Sequence, residues 1–363
     1  MNHYCTYFDR ELLAQGLALW RSLAKADVDS VLWVLALDEF TADVLREVGG
    51  TWLRVVPLAE VEAGDAELAA TKVNRTRVEY FFALSPCWPR WLLEKHGMRS
   101  GIERITSVEA EMFFFASPTR IFEAMDAAKA SVLVTAQRLP LWLKRSERHG
   151  KFNVGLLSFQ NDGVGRACLD EWRGRCLGRC HDGQEAGKYA DQKYLDEWPE
   201  QVGAALLVLP NAGVNLAPWN WAGVEIAAEA GGADAAKGGL RVEGEPLVIF
   251  HFARFRPIYG DWWWQSGQLD YGVMPRRLRR RIYGPYGRAL LAARDELAAR
   301  RAGFDFARRP VRSGREFGPS WLLRLVFGGG WLRVGDEFFN LRGGLGRWSG
   351  QCLEKLRAIF LRT

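Results

Sequence analysis

The sequence predicts a layered α/β domain, with helices packed on a largely parallel sheet. The chain opens with apolar strands that alternate with helical segments, which is typical of this class. Residues 31–37 are almost all apolar, as in a strand buried on both faces of a parallel sheet. With 363 residues, 48% of them hydrophobic, the chain is long enough for one large domain with an appendage.

Three strands and one helix are predicted from the hydrophobic pattern at the start of the chain. The strands cover residues 3–8, 31–37 and 52–58, and the first helix covers 10–24. Thr41 is placed to cap the helix that follows the second strand. The acidic residues 59–70 are interpreted as a linker.

The remaining core elements follow a central stretch at residues 105–118. Strands are predicted at 131–135, 153–159, 206–209 and 247–252, and helices at 165–180 and around 190–195. The regular alternation stops after about residue 260. We therefore expect one domain at residues 1–260 and a helical C-terminal extension at 261–363.

The central stretch carries two carboxylates, Glu109 and Glu111, after an apolar strand. Side chains two apart on a strand point to the same side, and two like charges there repel each other unless a cation lies between them. A hard divalent cation with oxygen ligands meets that requirement. The alternative is a solvated strand end, where acidic residues are common, and the spacing alone favours this alternative.

A basic cluster precedes this strand. Lys72 and Arg75 follow the acidic segment and introduce a helix rich in aromatic residues. Such cations can neutralise a pyrophosphate, or they can form a solvated face. The residues by themselves support the two interpretations equally.

Charge is distributed unevenly along the chain. Residues 251–363 contain 22 Lys and Arg against 9 Asp and Glu, a net charge of +13, whereas the rest of the chain carries −7. A basic segment of this kind predicts contact with an anionic membrane or with nucleic acid. No recognition helix, zinc finger or aromatic–basic RNA motif accompanies the charge, so a nucleic-acid-binding protein ranks last and we expect no nucleic-acid partner.

The sequence also bears on location and on cysteine chemistry. The N-terminus lacks a charged-then-apolar signal pattern, and no apolar run of about 18 residues occurs. We therefore expect a cytoplasmic protein, with peripheral attachment to the inner face of the membrane as an option. The six cysteines predict buried free thiols rather than a disulfide framework or a metal site.

Six features in order over residues 3–256 resemble the GT-A glycosyltransferases that use nucleotide sugars. They are most similar to the retaining family 8-like branch and its bacterial surface-polysaccharide members. The six features are the opening strand CTYFDREL, the Lys72/Arg75 segment, the carboxylate pair at the family's Asp-x-Asp position, Asn153-Val154-Gly155, Asp191-Gln192, and His251. The resemblance implies a GT-A fold, a Rossmann-like mixed sheet, and sugar transfer from a nucleotide diphosphate sugar, with a UDP-sugar favoured.

The same resemblance implies roles for individual residues. The residues implied to bind the donor are Thr6, Tyr7, Lys72, Arg75, Asn153 and Gly155. Those implied to bind Mg or Mn are Glu109, Glu111 and His251, and those implied to act at the anomeric carbon are Asp191 and Gln192. A carboxylate near that carbon can stabilise an oxocarbenium-like transition state or form a covalent intermediate, and front-side attack is equally open. The acceptor is expected to be a saccharide or a lipid-linked sugar. Tryptophans at 219, 221 and 262–264 suit stacking on sugar rings or core packing.

One departure from the family pattern concerns the metal ligands. Glu109 and Glu111 stand where the family has aspartates, and each is one methylene longer. A bound ion would be displaced by roughly 1 Å, enough to reduce activity in a preorganised site. The alternative function is therefore a catalytically weakened nucleotide-sugar-binding protein.

The C-terminal extension combines charge with apolar residues. Residues 319–327 are apolar with one Arg, and residues 353–361 have the pattern of a short amphipathic helix. Basic residues beside Trp, Phe and Leu predict a segment that lies in an anionic membrane interface. The alternative is that the apolar residues pack on the catalytic domain and leave a solvated basic face.

Overall fold

The computed structural model describes residues 1–178, 191–228, 239–259, 262–264, 271–302, 304–305 and 331–333. These residues contain a seven-stranded mixed sheet with a hydrophobic core on each face. The predicted fold class, α/β with a Rossmann-like mixed sheet, is confirmed. No helix within these ranges combines the length and the apolar content that a membrane span requires.

The strands are β1 (Asn2–Phe8), β2 (Ser30–Ala36), β3 (Leu53–Pro57), β4 (Arg104–Val108), β5 (Met112–Phe114), β6 (Val132–Ala136), β7 (Phe152–Gln160), β8 (Leu206–Val208), β9 (Ile226–Ala228), β10 (Leu240–Val242), β11 (Glu245–Pro246), β12 (Ile249–His251), β13 (Arg256–Tyr259), β14 (Trp262–Trp264) and β15 (Trp331–Arg333). The helices are α1 (Leu13–Ala26), α2 (Glu39–Val48), α3 (Leu58–Gly64), α4 (Ala66–Thr71), α5 (Arg77–His96), α6 (Thr119–Ala127), α7 (Gly163–Gly178), α8 (Trp198–Gln201) and α9 (Arg276–Arg300). Short 3-10 turns cover Arg10–Leu12, Lys72–Asn74, Leu141–His149, Gln192–Glu197, Gly203–Ala205 and Trp221–Gly223.

The main sheet has the strand order β3-β2-β1-β4-β7-β6-β8. Strand β7 is antiparallel to both of its neighbours, and all other neighbouring pairs are parallel. Strands β1 and β4 therefore end at the same edge, which is where open α/β sheets bind their ligands. Strands β5 and β12 form a separate antiparallel pair, so His251 lies beside the main sheet rather than within it.

Alternation along β1 divides the core into two halves. Tyr4 and Phe8 face α1 and α9, whereas Cys5 faces α5 and α7. The buried free thiols Cys5, Cys87, Cys168 and Cys176 all belong to the second half or line it, as predicted for this part of the chain.

Helix α9 lies within the predicted C-terminal extension and packs on the first half of the core. Leu290 and Leu297 are fully buried in the same cluster as Leu17 of α1, and Arg21 pairs with Glu296 across the two helices. The division at residue 260 stays a prediction. The predicted segments 319–327 and 353–361 lie outside the described residues.

Two local predictions are wrong. The acidic residues 59–70 form helices α3 and α4 rather than a linker, and Asp65 caps α4 by accepting a hydrogen bond from the Leu68 amide at 3.0 Å. Helix α2 is capped by Asp38, whose carboxylate accepts from the Thr41 amide at 2.7 Å, while Thr41 itself is buried inside the helix. Aspartate accepts hydrogen bonds from helix N-termini as well as threonine does, and here it stands at the position with extended backbone.

Candidate active site

The carboxylate pair lies in a turn between β4 and β5, not on a strand as the spacing predicted. The Met112 amide donates to the Glu109 carbonyl at 3.1 Å and closes the turn. The Glu109 amide donates to the carbonyl of Gly155 at 3.1 Å, which fixes the turn to β7. The main-chain carbonyl of Glu111 accepts from Phe252 at 2.9 Å, which fixes the other end of the turn next to β12.

Glu109 meets His251 directly. The Nε2 atom of His251 lies 2.8 Å from Oε2 of Glu109, and the ring of Trp219 packs edge-on against the imidazole. Burial alone lowers the pKa of His251, but the charge and hydrogen bond of Glu109, helped by the charge of Glu111, outweigh it and leave this pKa raised. The predicted grouping of Glu109 with His251 is thus present, and Trp219 lies on the histidine.

The donor chemistry of this pair suits a hard divalent cation. Two donors about 2.1 Å from one octahedral ion, on neighbouring positions, stand roughly 3 Å apart. The 2.8 Å separation of His251 Nε2 and Glu109 Oε2 is close to that value. Within the described ranges, however, no three His, Cys, Asp or Glu side chains form a group that could hold a metal ion. The structure thus brings Glu109 and His251 together, and the binding of one ion by Glu109, Glu111 and His251 stays a prediction.

A buried amide network lies behind the histidine. Asn153 Oδ1 accepts from the Gly155 amide at 2.9 Å and from Asn215 Nδ2 at 2.8 Å. Asn215 also donates to Thr135 Oγ1 at 2.8 Å and adopts a positive φ of 57°. Gly155 packs so closely that an added Cβ would lie 2.9 Å from His251 Nδ1. The predicted pair Asn153 and Gly155 therefore borders the Glu109–His251 pair.

Asp191 lies fully inside the protein, with 3% of its surface exposed. Its Oδ2 accepts a hydrogen bond from Ser85 of α5 at 2.5 Å, and Ser85 Oγ lies 2.9 Å from the hydroxyl of Tyr7. Burial raises the pKa of Asp191 to about 7, against the opposing effect of the Ser85 hydrogen bond, and the charge of Glu109 adds to the rise. A carboxyl group with this pKa titrates in the range where acid–base and electrostatic roles operate.

Gln192 connects this carboxylate region to Asn153. Its Oε1 accepts from Asn153 Nδ2 at 3.3 Å, and its Nε2 donates to the carbonyl of His149 at 3.2 Å. Gln192 thus contacts the Asn153 side chain, and its neighbour Asp191 contacts α5 through Ser85.

Comparison with known proteins supports this chain's membership of one family. No family model matches the chain. It is 30% identical to the uncharacterized protein YfnF of Bacillus subtilis over 262 residues, covering 70% of this chain and 82% of YfnF. The chain belongs to the YfnF family. A second Bacillus subtilis member, the uncharacterized protein YfnD, is 28% identical over 256 residues, which cover 70% of this chain and 78% of YfnD.

Solved structures are more distant from this YfnF-family chain. The galactosyltransferase LgtC, in complex with donor and acceptor sugar analogues, aligns with a TM-score of 0.43 at 13% identity and covers 84% of this chain and 97% of LgtC. Mouse xyloside xylosyltransferase 1 in its apo form aligns with a TM-score of 0.42 at 15% identity, and the alignment covers 69% of this chain and 97% of the xylosyltransferase. Likeness at these values assigns neither substrate nor mechanism to the YfnF-family chain.

The remaining predicted donor residues make contacts of their own. Tyr7 donates to the carbonyl of Phe81 at 3.0 Å, and Thr6 is buried with its hydroxyl unpartnered in the described part of the chain. Lys72 pairs with Glu62 at 2.8 Å, and Arg75 donates to the carbonyl of Leu177 at 2.6 Å. These contacts connect the basic segment to α3 and α7, and its role towards a diphosphate stays a prediction.

Sequence reasoning missed three residues of this region. Ser85 positions Asp191, Asn215 positions Asn153, and Arg138 holds the loop that carries Asn215. Arg138 donates to three backbone carbonyls at 2.6 to 3.1 Å, and burial lowers its pKa to about 10. Ser85 and Asn215 each interrupt an apolar run as a single small polar residue, and that pattern is the signal that could have found them.

Proposed function

We propose that this chain transfers a sugar from a nucleotide diphosphate sugar, with a UDP-sugar favoured, to a saccharide or lipid-linked acceptor. We further propose a retaining, divalent-metal-assisted reaction in cell-surface polysaccharide synthesis. The observation that carries the proposal is the Glu109–His251 pair beside Asn153, with the buried Asp191 carboxyl connected through Gln192. These groups lie outside the carboxyl end of β4, where an open α/β sheet binds its ligands.

The acidic turn and His251 are the proposed metal ligands. Glu109 and His251 supply one oxygen and one nitrogen donor at a spacing that suits one ion, and Glu111 is the proposed third donor. When bound, Mg or Mn offsets the negative charge that develops on the departing diphosphate. Lys72 and Arg75 are proposed to add positive charge to the same region, and Thr6 and Tyr7 to contact the base and ribose at the end of β1.

Asn153 is proposed to bind a sugar hydroxyl. Its Oδ1 is fully engaged by Gly155 and Asn215, and one N–H of its Nδ2 meets Gln192. The amide is therefore held in one orientation, and in the described part of the chain its second N–H has no partner. A preorganised donor of this kind binds a hydroxyl without paying for reorientation.

Asp191 is proposed to act at the anomeric carbon. Ser85 fixes one carboxylate oxygen at 2.5 Å, and burial leaves the group little solvent to screen its charge. Ionised, it can stabilise an oxocarbenium-like transition state or attack the anomeric carbon, with Gln192 beside it. Front-side attack with the leaving phosphate as base remains the alternative route to retention.

A thermal-shift panel tests the proposal. Purified protein is heated with UDP, GDP, CDP or TDP, each with and without Mn, because a ligand at about 100 times its Kd stabilises the folded state by about 2.7 kcal/mol. We expect one nucleotide to raise the melting temperature in the presence of Mn. Glu111→Ala should abolish the Mn-dependent part of the shift, while the exposed Glu103→Ala should not change it. The proposal is refuted when no nucleotide shifts the wild-type protein.

A nucleotide-sugar-binding protein without turnover is the second candidate. Two observations favour it: glutamates occupy both positions of the acidic turn, and no three-donor group is present in the described ranges. Measurement of released nucleotide by liquid chromatography distinguishes this candidate from the enzyme. Binding of UDP-sugars without release of UDP, in the presence of a panel of saccharide acceptors, would support this candidate over the enzyme.

The C-terminal extension, residues 261–363, is proposed to contact an anionic membrane. Its net charge is +11, with 20 Lys and Arg against 9 Asp and Glu. Full-length protein and a form that ends near Arg312 are compared by sedimentation with anionic vesicles. Stronger pelleting of the full-length form supports a contribution from residues beyond Arg312, and equal behaviour of the two forms removes those residues from the proposal.

A further inference from the structure

An exposed apolar pair stands on a basic turn next to the candidate active site. In the turn Leu141–His149, which we call the Trp142 segment, Leu141 is 89% exposed and Trp142 is 60% exposed. The same turn exposes Arg145 and Arg148. Two adjacent large apolar side chains that stand in solvent beside cations form a contiguous patch, unlike the singly exposed apolar residues elsewhere on the protein, and such a patch is a candidate interaction surface.

The Trp142 segment is fixed at both ends to residues of the site. At its end, the carbonyl of His149 accepts from Gln192 Nε2 at 3.2 Å. Just before its start, the carbonyl of Gln137 accepts from Asn220, which also donates to the carbonyl of Asn215 at 3.3 Å. The segment therefore projects from the rim of the site, and its position relative to the site is set by these bonds.

A second basic cluster shares this edge of the protein. The turn Trp221–Gly223 lies between the Trp142 segment and this second cluster. A Cβ at Gly223 would lie 3.5 Å from Pro140, and a Cβ at Gly272 would lie 3.3 Å from Trp221. Pro140 immediately precedes the Trp142 segment, and Gly272 lies three residues before Pro275, the N-cap of α9. The first turns of α9 expose Arg276, Arg277 and Arg280.

The positive charge of this edge is only partly neutralised. Lys144 pairs with Glu147 at 2.5 Å. In contrast, Arg145, Arg277 and Arg280 make no ion pair within the described ranges. Uncompensated arginines on both sides of an exposed Leu–Trp pair match the composition of surfaces that lie in an anionic bilayer interface, where tryptophan sits at the headgroup level.

We propose that the Trp142 segment and the first turns of α9 together dock this protein on an anionic lipid bilayer. The apolar pair enters the interface and the arginines contact lipid phosphates and carboxylates. The bonds from His149 and Gln137 then hold the candidate site at the membrane surface, where a lipid-linked acceptor is presented. The docking surface is distinct from residues 319–361, and only the identity of the acceptor rests on the proposed function.

Vesicle sedimentation of the full-length protein tests the docking surface. Vesicles of phosphatidylcholine alone are compared with vesicles that contain an equal share of phosphatidylglycerol. Two variants probe the surface: Leu141→Ser with Trp142→Ser, and Arg145→Gln with Arg277→Gln and Arg280→Gln. Matched controls change exposed residues elsewhere, Val73→Ser with Met98→Ser, and Lys25→Gln with Arg54→Gln and Arg99→Gln.

The expected results separate charge from apolar insertion. The triple arginine variant should lower the partition coefficient on anionic vesicles roughly a hundredfold, about fivefold per arginine, and leave binding to neutral vesicles unchanged. The apolar variant should lower binding to anionic vesicles at least about tenfold. The controls should behave as wild type, and all variants should keep the wild-type melting temperature.

Two outcomes would overturn the proposal. One is that the wild-type protein stays in the supernatant at low salt with anionic vesicles. The other is that it pellets and both surface variants pellet equally well, which would assign binding to another part of the chain. The nucleotide-dependent thermal shift is measured in solution without lipid, so failure of the docking surface and failure of the proposed function are read from separate experiments.

Discussion

Gly155→Ala is the sharpest test of how tightly this site is packed. An alanine Cβ at this position would lie 2.6 Å from Asn153 Oδ1, 2.6 Å from Met112 Cε and 2.9 Å from His251 Nδ1. Non-bonded atoms of these types touch at roughly 3.3 Å or more, so each neighbour must move by about half an ångström. All three neighbours are buried, which leaves them little room to move.

The expected magnitude follows from these contacts. Overpacking a close-packed interior costs about 1–3 kcal/mol of unfolding free energy. Displacement of Asn153 and His251 should also weaken any activity that depends on their positions. Misplacement of a positioned group by about 1 Å can lower turnover about a hundredfold, so a loss of roughly tenfold or more is expected for half that shift.

Urea unfolding measures the stability change, and Gly174→Ala is the matched control. Gly174 lies inside α7 with nothing within 4 Å of an added Cβ, so alanine there should stabilise the helix by about 0.5–1 kcal/mol. The two substitutions are chemically identical, but they should change the unfolding free energy in opposite directions. If Gly155→Ala unfolds at the wild-type urea concentration with unchanged nucleotide affinity, the packing described around His251 is wrong.

Four further predictions address the buried polar groups. Asp191→Ala should lower turnover more than donor affinity, since the group acts mainly when charge develops at the anomeric carbon; an equal loss of affinity with turnover of bound donor intact would reassign it to binding. The pKa of Asp191 is about 7 in the folded state and near 4 in the unfolded state, so between these values the folded protein binds the extra proton. The unfolding free energy should therefore fall by up to about 4 kcal/mol as pH rises from 4 to 7. Asp191→Asn should remove this pH dependence of the unfolding free energy in urea titrations. Ser85→Ala removes a hydrogen bond that lowers the pKa of Asp191, so the acid limb of the pH–rate profile should move to higher pH, and a profile identical to wild type would contradict this role. Arg138→Met leaves three backbone carbonyls without their donor and should cost about 2–4 kcal/mol in unfolding free energy, whereas the exposed Arg99→Met should cost less than about 0.5.

Much of the fold could be predicted from the sequence because it depends on local periodicity. Strand β2 falls within one residue of the predicted 31–37, and β7 within one residue of the predicted 153–159. The apolar runs have no alternative to burial, so their positions follow from composition alone. Errors occurred where the pattern was weak: α3 and α4 are short, acidic and half-exposed, and such segments resemble a solvated linker.

Individual site residues were found from the sequence, but their relations were not. Glu109 was identified from its position after an apolar strand, and Asn153 and His251 from the resemblance to the GT-A glycosyltransferases. The 2.8 Å contact of Glu109 with His251 depends on the pairing of β5 with β12, which no local pattern specifies. The carboxylate pair also lies in a turn rather than on a strand, because the chain turns at these residues to connect β4 with β5.

Only the tertiary structure decided which buried polar groups satisfy one another. Ser85 and Asp191 are 106 residues apart, and Asn153 and Asn215 are 62 apart, yet each pair shares a hydrogen bond of 2.8 Å or less. A buried polar group must find a partner or incur the cost of desolvation, but the sequence states only that the group is polar and flanked by apolar residues. The partner is set by the order in which the strands pair and by the packing of α5 against α7, which are properties of the whole chain.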